Sequence, residues 1–304
     1  MQRRILLTGS NGLLGQKIVT LLAGRAQVHL LATAKGENRH PQYQGYEYES
    51  LDLTDPEALS RVMGEFRPTE VIHTAAQTQV DQCETDHAGC DAINVEAVRE
   101  LAGHCKRLGS RLVHISTDFV FSGEAGPYRE QDAPGPVNYY GLSKLKAEQI
   151  IAAAGIPHAI LRTILLYGVT PEMSRTNVVL WARKELMAGK PIRVVSDQVR
   201  CPTLAEDLAQ AAVTAAMKQA QGLYHISGPE QMSILDLVQR VAAFWKLDAS
   251  LIQPVDSASL NQPARRPPVT GFIILKAQTE LDYRPHSFSQ GLEVVDRQLR
   301  ALEN

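Results

Sequence analysis

The sequence has little of what marks a secreted, metal-binding or nucleic-acid-binding protein. Its 304 residues include only four cysteines, and these form no Cys-x-x-Cys pair and no spacing typical of a zinc site. We therefore expect free thiols in a reducing compartment and no bound metal. The formal net charge is -2, with acids and bases interspersed, which argues against binding to nucleic acid or to a charged membrane surface.

Long hydrophobic runs are also scarce. Near the start, only three apolar residues follow Arg4 before Thr8, which is too short a run for a secretory signal. The most apolar later segment, 150–169, is interrupted by Pro157, His158 and Arg162, so it does not resemble a membrane span. The sequence therefore predicts a cytoplasmic protein.

What the first half does contain is an alternation of short β-branched runs and longer helical patterns. Strands are predicted at 4–8, 28–33, 46–50, 70–74, 111–116 and 158–162. Helices are predicted between them, at 12–23, 56–66, 86–107 and 138–154. This alternation predicts an α/β fold with a Rossmann-type, doubly wound parallel sheet.

After Tyr167 the pattern becomes irregular, which indicates a smaller C-terminal substrate-binding domain. Helices are predicted at 177–188, 204–217 and 234–245, with strands near 193–195 and 223–226. We assign 1–165 to a dinucleotide-binding domain, with a return at 202–219, and 166–201 and 220–304 to the substrate-binding domain. A second domain over the carboxyl ends of the strands would complete a ligand cleft.

A glycine-rich turn, from Thr8 to Gly15, directly follows the first strand and opens the first helix. Gly9 permits the tight turn, Gly12 lets the backbone approach a pyrophosphate, and Gly15 allows close packing of helix on strand. The amide-rich start of the helix then faces the anion. The turn therefore predicts dinucleotide binding, with contacts from Gly9, Asn11, Gly12, Leu13 and Gly15.

The end of the second strand predicts which dinucleotide is bound. An acidic residue there would accept hydrogen bonds from the ribose of NAD(H), whereas basic residues suit the additional phosphate of NADP(H). Ala34 is followed by Lys35 and Arg39, with no acid at the strand end. We expect NADP(H) to be preferred, with Lys35 and Arg39 as contacts, while NAD(H) stays open because Lys35 is also compatible with a solvated loop charge.

Tyr140 and Lys144 are four residues apart on a predicted helix, so they lie on one face. A cation near a phenol favours the phenolate, which would let Tyr140 exchange a proton near neutral pH. Thr117, at the end of a predicted buried strand, would hydrogen-bond a substrate carbonyl. A surface Tyr and Lys is the simpler interpretation of this pair alone, but the glycine turn and the hydroxyl segment make Thr117, Tyr140 and Lys144 the candidate catalytic residues, with Tyr140 and Lys144 also contacting the cofactor.

Together these residues resemble the sugar-nucleotide reductases of the extended short-chain dehydrogenase/reductase family. The resemblance covers nearly the whole chain and includes Asp52-Leu53, His73-Thr74-Ala75-Ala76, Asn94, Ser196-Asp197-Gln198 and Cys201-Pro202-Thr203. It implies cofactor contacts from Asp52, Leu53, Ala75 and Ala76. It also implies substrate contacts from Thr78, Val80, Asp81 and Asn177. Arg200 and Arg266 are candidates for a substrate phosphate, although surface arginines are an equal alternative.

The chain departs from the family pattern at two places. Between Arg162 and Tyr167 the family usually has a Trp that packs near the sugar, whereas this chain has Thr163-Ile164-Leu165-Leu166 and no Trp. Lys17 stands where some relatives have a Glu that helps to bind magnesium. The substitution at Lys17 is a second reason to expect no metal.

The resemblance implies an NAD(P)-dependent oxidoreductase that reduces the C4 ketone of a nucleotide-linked 4-keto-6-deoxysugar. Dehydration is disfavoured, because Phe119 follows Asp118 where the dehydratases carry a Glu. Two alternatives stay open. One is a sugar-nucleotide epimerase, and the other is a non-catalytic NADP-binding subunit resembling the beta subunit of methionine adenosyltransferase. A sugar nucleotide is the expected small-molecule partner, and a homodimer is also left open.

Overall fold

The computed structural model describes residues 2–172 and 176–303. Met1, Met173 to Arg175 and Asn304, which fall within the ranges of the two predicted domains, lie outside the described residues. The strands are β1 Arg3–Thr8, β2 Val28–Ala34, β3 Glu47–Ser50, β4 Glu70–His73, β5 Arg111–Thr117, β6 His158–Thr163, β7 Leu166–Tyr167, β8 Ile192–Val195, β9 Val199–Arg200, β10 Thr203–Leu204, β11 Gly222–Ile226, β12 Met232–Ser233 and β13 Ile252–Val255. The α-helices are α1 Leu13–Leu22, α2 Pro56–Phe66, α3 Val80–Thr85, α4 His87–Asp91, α5 Ala97–Leu108, α6 Tyr139–Ala153, α7 Val178–Met187, α8 Ala205–Met217, α9 Ile234–Phe244, α10 Leu275–Glu280 and α11 Phe288–Glu303.

The centre of the fold is a seven-stranded sheet in the order β11-β6-β5-β4-β1-β2-β3. All its strand pairs are parallel. The order reverses between β1 and β4, since the chain builds outward from β1 to β3 on one side and from β4 to β6 on the other. A reversal of this kind opens a crevice at the carboxyl ends of the two strands. The predicted Rossmann-type α/β fold is confirmed.

Helices cover both faces of this sheet, because the buried strands are apolar on both sides. On one face α1 and α8 pack against β1 and its neighbours through Ile18 and Leu208. On the other face α2, α5 and α6 contribute residues such as Met63, Leu101 and Ile151 to a second cluster. The sheet is therefore sealed from water, and ligands can approach only at its edges and strand ends.

A further hydrophobic core lies away from the sheet, among α7, α9, α11 and the paired strands β8 and β13. It contains Val179, Leu237 and Leu292, all buried. This core corresponds to the irregular part of the sequence. Strand β11, which the predicted boundary at 220 gives to the substrate-binding domain, instead pairs with β6 at the edge of the central sheet. The division into two domains otherwise stays a prediction.

The predicted helix 86–107 is interrupted in the structure. A π-helical segment, Ala92–Glu96, separates α4 from α5. It includes the buried Asn94, whose amide exchanges two hydrogen bonds with the backbone of Gln77, at 2.9 and 3.0 Å. Single-turn π segments occur frequently at functional sites. Here the segment fastens the loop after β4 to the helical layer.

No helix in 2–172 or 176–303 is long and apolar enough to cross a membrane. The predicted cytoplasmic location is a separate question and stays a prediction.

A buried ion pair joins α6 to β6 directly below the carboxyl edge of the sheet. Arg162 donates to both oxygens of Glu148, at 2.9 and 2.6 Å, and Ser116 donates to the same carboxylate at 2.5 Å. Both charged side chains are buried. Removing one partner of such a pair leaves the other charge uncompensated in a medium that solvates it poorly. The pair therefore fixes the position of α6 relative to the strand ends.

Replacing Arg162 by Met is expected to lower the free energy of unfolding by about 3–5 kcal/mol, because Glu148 stays buried without its partner. Urea unfolding of the purified variant measures the change. Lys218→Ala provides the control, since Lys218 pairs with Asp282 on the surface. That exposed pair is expected to contribute less than about 1 kcal/mol. Equal effects of the two substitutions would contradict this account of α6.

Candidate active site

A cavity of about 750 Å³ lies at the carboxyl ends of the central strands, where the strand order reverses. Its volume falls within the range of small-molecule and cofactor sites. Residues from the glycine turn, the ends of five strands, α6 and the start of α7 line it together. One cavity therefore contains both the predicted cofactor elements and the predicted catalytic elements.

The glycine turn forms one wall of this cavity. Gly9 has φ +76°, and a Cβ there would lie 2.6 Å from the backbone nitrogen of Ala75. At Gly15 a Cβ would overlap the carbonyl of Gly9 and lie 2.6 Å from Cα of Ser10. Gly12 is the N-cap of α1, so the amides of the first turn face the cavity that Gly12 and Leu13 line. Only glycine permits this close approach, and the resulting wall suits a pyrophosphate.

Asn11 and Arg39 are placed differently from the other predicted cofactor contacts, because neither lines the cavity. The Asn11 side chain donates to the carbonyl of Glu37 at 2.7 Å and accepts from the backbone N–H of Arg39 at 2.9 Å. Asn11 therefore anchors the loop after β2 to the glycine turn. These hydrogen bonds within the protein account for an Asn at this position without a contact to the cofactor.

The adenine end of the predicted cofactor site is formed by Lys35, Asp52 and Leu53, which all line the cavity. The Lys35 ammonium donates to Asp52 at 2.6 Å. Hydrogen bonds from Lys35 and Thr54 lower the pKa of Asp52 to about 2. Asp52 is therefore ionised at neutral pH, and it holds Lys35 at the mouth of the cavity. Ala75 and Ala76, which follow β4, also line the cavity.

Thr117, Tyr140 and Lys144 all line the same cavity. Asn138 caps α6 by accepting from the backbone of Gly141 at 2.8 Å, which places Tyr140 in the first turn of the helix. The Tyr140 ring packs edge-on against Phe119, with 5.9 Å between ring centroids. The predicted convergence of a hydroxyl, a phenol and an amine in one crevice is therefore present, although their chemical roles stay a proposal.

The expected effect of Lys144 on Tyr140 is wrong for the protein as it stands. Burial raises the pKa of Tyr140 well above its usual value, and a hydrogen bond with Thr117 opposes the rise only in part. Lys144 is 2% exposed, and burial lowers its pKa to about 8. Its Nζ contacts His114 Nε2 at 3.1 Å and the carbonyl of Ile115 at 2.7 Å. Desolvation thus favours the neutral form of both groups.

Arg200 lines the cavity but is not free to bind a phosphate in the way that the sequence suggested. Its guanidinium is buried and donates to the carbonyls of Val199, Pro267 and Pro268 at 2.7–3.1 Å. It also faces the buried carboxylate of Asp118 at 3.8 Å. Arg200 is therefore committed to joining β9 to the segment after β5. The alternative that it is a surface arginine is also wrong.

Arg266 and Asp81 form an ion pair at the rim of the cavity. Arg266 Nη2 lies 2.7 Å from Asp81, and Asp81 also accepts from the backbone N–H of Ala264. Arg266 lines the cavity and Asp81 does not. Asp81 therefore orients Arg266, whereas the predicted direct substrate contact from Asp81 has no support from this geometry.

Thr78, Val80 and Asn177 line the cavity as well. Asn177 also caps α7, because its side chain accepts from the backbone of Leu180 and donates to the carbonyl of Gly168.

Sequence reasoning missed several cavity-lining residues that share one property. Threonines lie where most of the central strands reach the cavity. Thr8 and Thr163 end β1 and β6, as Thr117 ends β5; Thr74 follows β4, and Thr33 is the last residue but one of β2. A signal for them was available, because carboxyl-terminal residues of parallel strands meet at one edge. Asp118, Gln198 and Ile234 line the cavity too, and only their tertiary position reveals it.

The sheet order, the glycine turn and the Thr-Tyr-Lys cavity define an NAD(P)-dependent oxidoreductase of the extended short-chain dehydrogenase/reductase class. Comparison with known proteins then specifies the family. Residues 3–300 match the model of the RmlD substrate binding domain, and the chain belongs to that family.

A curated relative is the dTDP-4-dehydrorhamnose reductase of Burkholderia thailandensis, 34% identical over 282 residues, which cover 87% of this chain and 88% of the relative. The methionine adenosyltransferase 2 subunit beta of Pongo abelii is 31% identical over 272 residues, covering 87% of this chain and 78% of that protein. Among solved structures, the dTDP-4-dehydrorhamnose reductase of Bacillus anthracis in complex with NADP has a TM-score of 0.84 and 27% identity. That match covers 98% of this chain and 100% of the other.

Within 2–172 and 176–303, no group of three or more His, Cys, Asp or Glu residues could hold a metal ion. Lys17, at the position discussed above, forms an ion pair with Glu206 at 2.8 Å.

The lowered pKa of Lys144 predicts a pH-dependent effect on stability. Its folded pKa is about 8 and its ordinary value is 10.5, so between these values the unfolded chain binds more protons than the folded one. Raising the pH from about 8 to about 10.5 should therefore stabilise the wild-type protein relative to Lys144→Met by roughly 2–3 kcal/mol. Urea unfolding of both proteins across this range measures the difference. If the free energies of unfolding of the two proteins changed in parallel with pH, the lowered pKa of Lys144 would be contradicted.

Proposed function

We propose that the protein is an NADPH-dependent reductase that converts the C4 ketone of a nucleotide-linked 4-keto-6-deoxysugar to an alcohol, like dTDP-4-dehydrorhamnose reductase. The observation that carries the proposal is the single cavity lined by the glycine turn and by Thr117, Tyr140 and Lys144. The glycines at Gly9 and Gly15 support dinucleotide binding, since a side chain at either position would clash with the backbone of the turn or of the segment after β4 and disrupt the wall that would face the pyrophosphate.

Bound NADPH would supply the hydride, and the protein would supply position and protons. Thr117 would hold the substrate carbonyl by a hydrogen bond. Tyr140 would donate its proton to the developing alkoxide. The raised pKa of Tyr140 means that the phenol is protonated at neutral pH, which is the form that a reduction requires. The cationic form of Lys144 would stabilise the phenolate that results.

Two parts of the chain supply the residues that would recognise the sugar nucleotide, and one is the part around the hydrophobic core of α7, α9 and α11. Asn177 and Arg266 reach the cavity from this side, and Thr78 and Val80 come from the loop and helix after β4. Arg266 would bind a phosphate of the substrate at the rim, and its ion pair with Asp81 supports this by fixing the orientation of the guanidinium. The assignment to a 4-keto sugar nucleotide is supported by the reductases among the relatives.

A non-catalytic NADP-binding subunit is the second candidate, because relatives named methionine adenosyltransferase 2 subunit beta are 30–31% identical to the chain. The two functions differ in what happens to a bound cofactor. A reductase consumes NADPH, whereas a binding subunit retains it and co-purifies with a partner enzyme.

The purified protein is expected to oxidise NADPH when dTDP-4-keto-6-deoxy-L-lyxo-hexose is added, with the loss of NADPH absorbance as the readout. Tyr140→Phe should lower kcat about 10²–10⁴-fold, since the proton donor is lost, and leave NADPH affinity nearly unchanged. Tyr139→Phe is the matched control, because Tyr139 is the preceding residue and bonds Asp91 at 2.7 Å instead of lining the cavity.

Absence of turnover with every 4-keto sugar nucleotide tested would overturn the proposal. Stoichiometric association with methionine adenosyltransferase would then favour the binding subunit.

NADPH is expected to be preferred over NADH. Lys35 lies at the mouth of the cavity, and β2 ends in Ala34 without an acid to accept from the NAD ribose. Lys35→Ala should raise KM for NADPH about tenfold, because it removes one phosphate contact, and change KM for NADH little. Steady-state kinetics with both cofactors test this. An equal effect of the substitution on both cofactors, or a clear wild-type preference for NADH, would contradict it.

A further inference from the structure

Below Lys144, two fully buried histidines stack between β4 and β5 and do not line the cavity. The rings of His73 and His114 lie 5.2 Å apart at an angle of 21°. His73 Nδ1 contacts the Thr8 hydroxyl at 2.7 Å, and His114 Nε2 contacts Lys144 Nζ at 3.1 Å. Neither His73 Nε2 nor His114 Nδ1 has a hydrogen-bond partner among the described residues. Nothing in the reaction described above uses this pair.

The contact between Lys144 and His114 fixes the proton on one nitrogen of the imidazole. An ammonium has only donors, so Nε2 must present its lone pair and the ring proton must sit on Nδ1. That places a buried N–H at a position without a partner, which is unfavourable. The opposite tautomer would set two donors against each other at 3.1 Å. The cation therefore determines the tautomer.

The imidazole also stays neutral across the neutral pH range. Burial lowers the pKa of His114 well below its usual value, and the charges of Lys144 and His73 lower it further. Burial likewise lowers the pKa of His73 to about 3. His114 is thus a permanent acceptor toward Lys144 rather than a competing cation.

We propose that His114 is a positioning residue for the reaction. It accepts a hydrogen bond from Lys144, favours the charged form of the ammonium, and directs the remaining N–H of Lys144 into the cavity. This role rests on the proposed function, in which a cationic Lys144 stabilises the phenolate. His114 and the Ile115 carbonyl engage two of the three N–H groups, and Lys144 itself lines the cavity. The third N–H is then directed at a ligand.

Other ionisable groups around Lys144 must be considered before its titration is assigned to His114. They belong to its own helix, to the sheet below it and to α4: Tyr140, Glu148, His73, Arg162 and Cys90. Glu148 and Cys90 raise the pKa of Lys144, against the larger effect of burial. Glu148 is already paired with Arg162. All of these side chains are retained in a variant that is changed only at His114.

The test is a titration of Lys144 by NMR, with ¹³Cε-labelled lysine and Lys144→Arg used to assign the signal. In His114→Leu the pKa of Lys144 should fall by about one unit or more, because the charged form loses a hydrogen bond. His114→Gln, which restores an acceptor near the position of Nε2, should return the pKa most of the way. His73→Gln, an equally buried control that leaves Lys144 its partner, should leave the pKa unchanged. An unchanged titration in His114→Leu would overturn the proposal.

The wild-type protein provides a second measurement that does not depend on a variant folding. The ¹⁵N shifts of the His114 ring should show a protonated Nδ1 and an unprotonated Nε2 throughout the neutral range. A protonated Nε2 or a charged ring would overturn the proposal.

Activity then separates this inference from the proposed function. In His114→Leu the alkaline limb of the kcat profile should move to lower pH by the same shift as the Lys144 titration, and His114→Gln should restore it. A uniform loss of kcat without that shift would indicate a merely structural role and overturn the proposal. If the wild-type protein turns over no 4-keto sugar nucleotide, the proposed function fails, while the two NMR measurements still decide whether His114 sets the state of Lys144.

Discussion

The parallel alignment of the central strands is the constraint on which the rest of the structure depends. Because β1, β4, β5 and β6 run in one direction, their carboxyl ends meet along one edge of the sheet. The reversal of strand order between β1 and β4 then leaves this edge open. Residues that are far apart in the chain, such as Thr8 and Thr163, thereby line one cavity. The site is a consequence of topology before any particular side chain is considered.

Desolvation at this edge gives the side chains their chemical character. A buried phenol and a buried amine are both driven toward their neutral forms, so Tyr140 holds its proton while Lys144 tends to lose one. The same low-dielectric surroundings keep His73 and His114 uncharged. The fold thus keeps the Tyr140 phenol protonated beside Lys144, whose charge depends on a few nearby hydrogen bonds. That arrangement is more specific than the spacing of Tyr140 and Lys144 alone.

The sequence predicts most of the first half of the fold, because its strands and helices have strong, regular hydrophobic periods. The helix at 56–66 has the same bounds in the structure, where Asp55 caps it and Pro56 occupies its first position. The π-helical segment around Asn94 could not be predicted, since Asn94 makes its hydrogen bonds with Gln77 in the loop after β4, a tertiary contact that the helical pattern does not show. The short strands β7, β9, β10 and β12 were also beyond prediction, because two-residue pairings carry no periodicity.

The candidate site shows the same division between local and tertiary information. The glycine turn was predictable because its geometry is local, and Gly9 and Gly15 are as tightly packed as the motif requires. Roles that depend on neighbours were harder to predict. An arginine in the sequence suggests a phosphate ligand, yet the guanidinium of Arg200 is already engaged by backbone carbonyls and by Asp118. The Asn11 side chain likewise makes its hydrogen bonds within the protein, where it joins the glycine turn to the loop after β2.

The buried contact between Asp118 and Arg200 has a mechanical consequence. It joins the end of β5 to β9, and Thr270 completes it by donating to the same carboxylate. Swinging these segments apart would expose two opposite charges to a partly dry crevice, which is strongly unfavourable. The pair therefore holds the segment after β5 against β9 on this side of the cavity. A ligand that enters the cavity meets these two segments already joined.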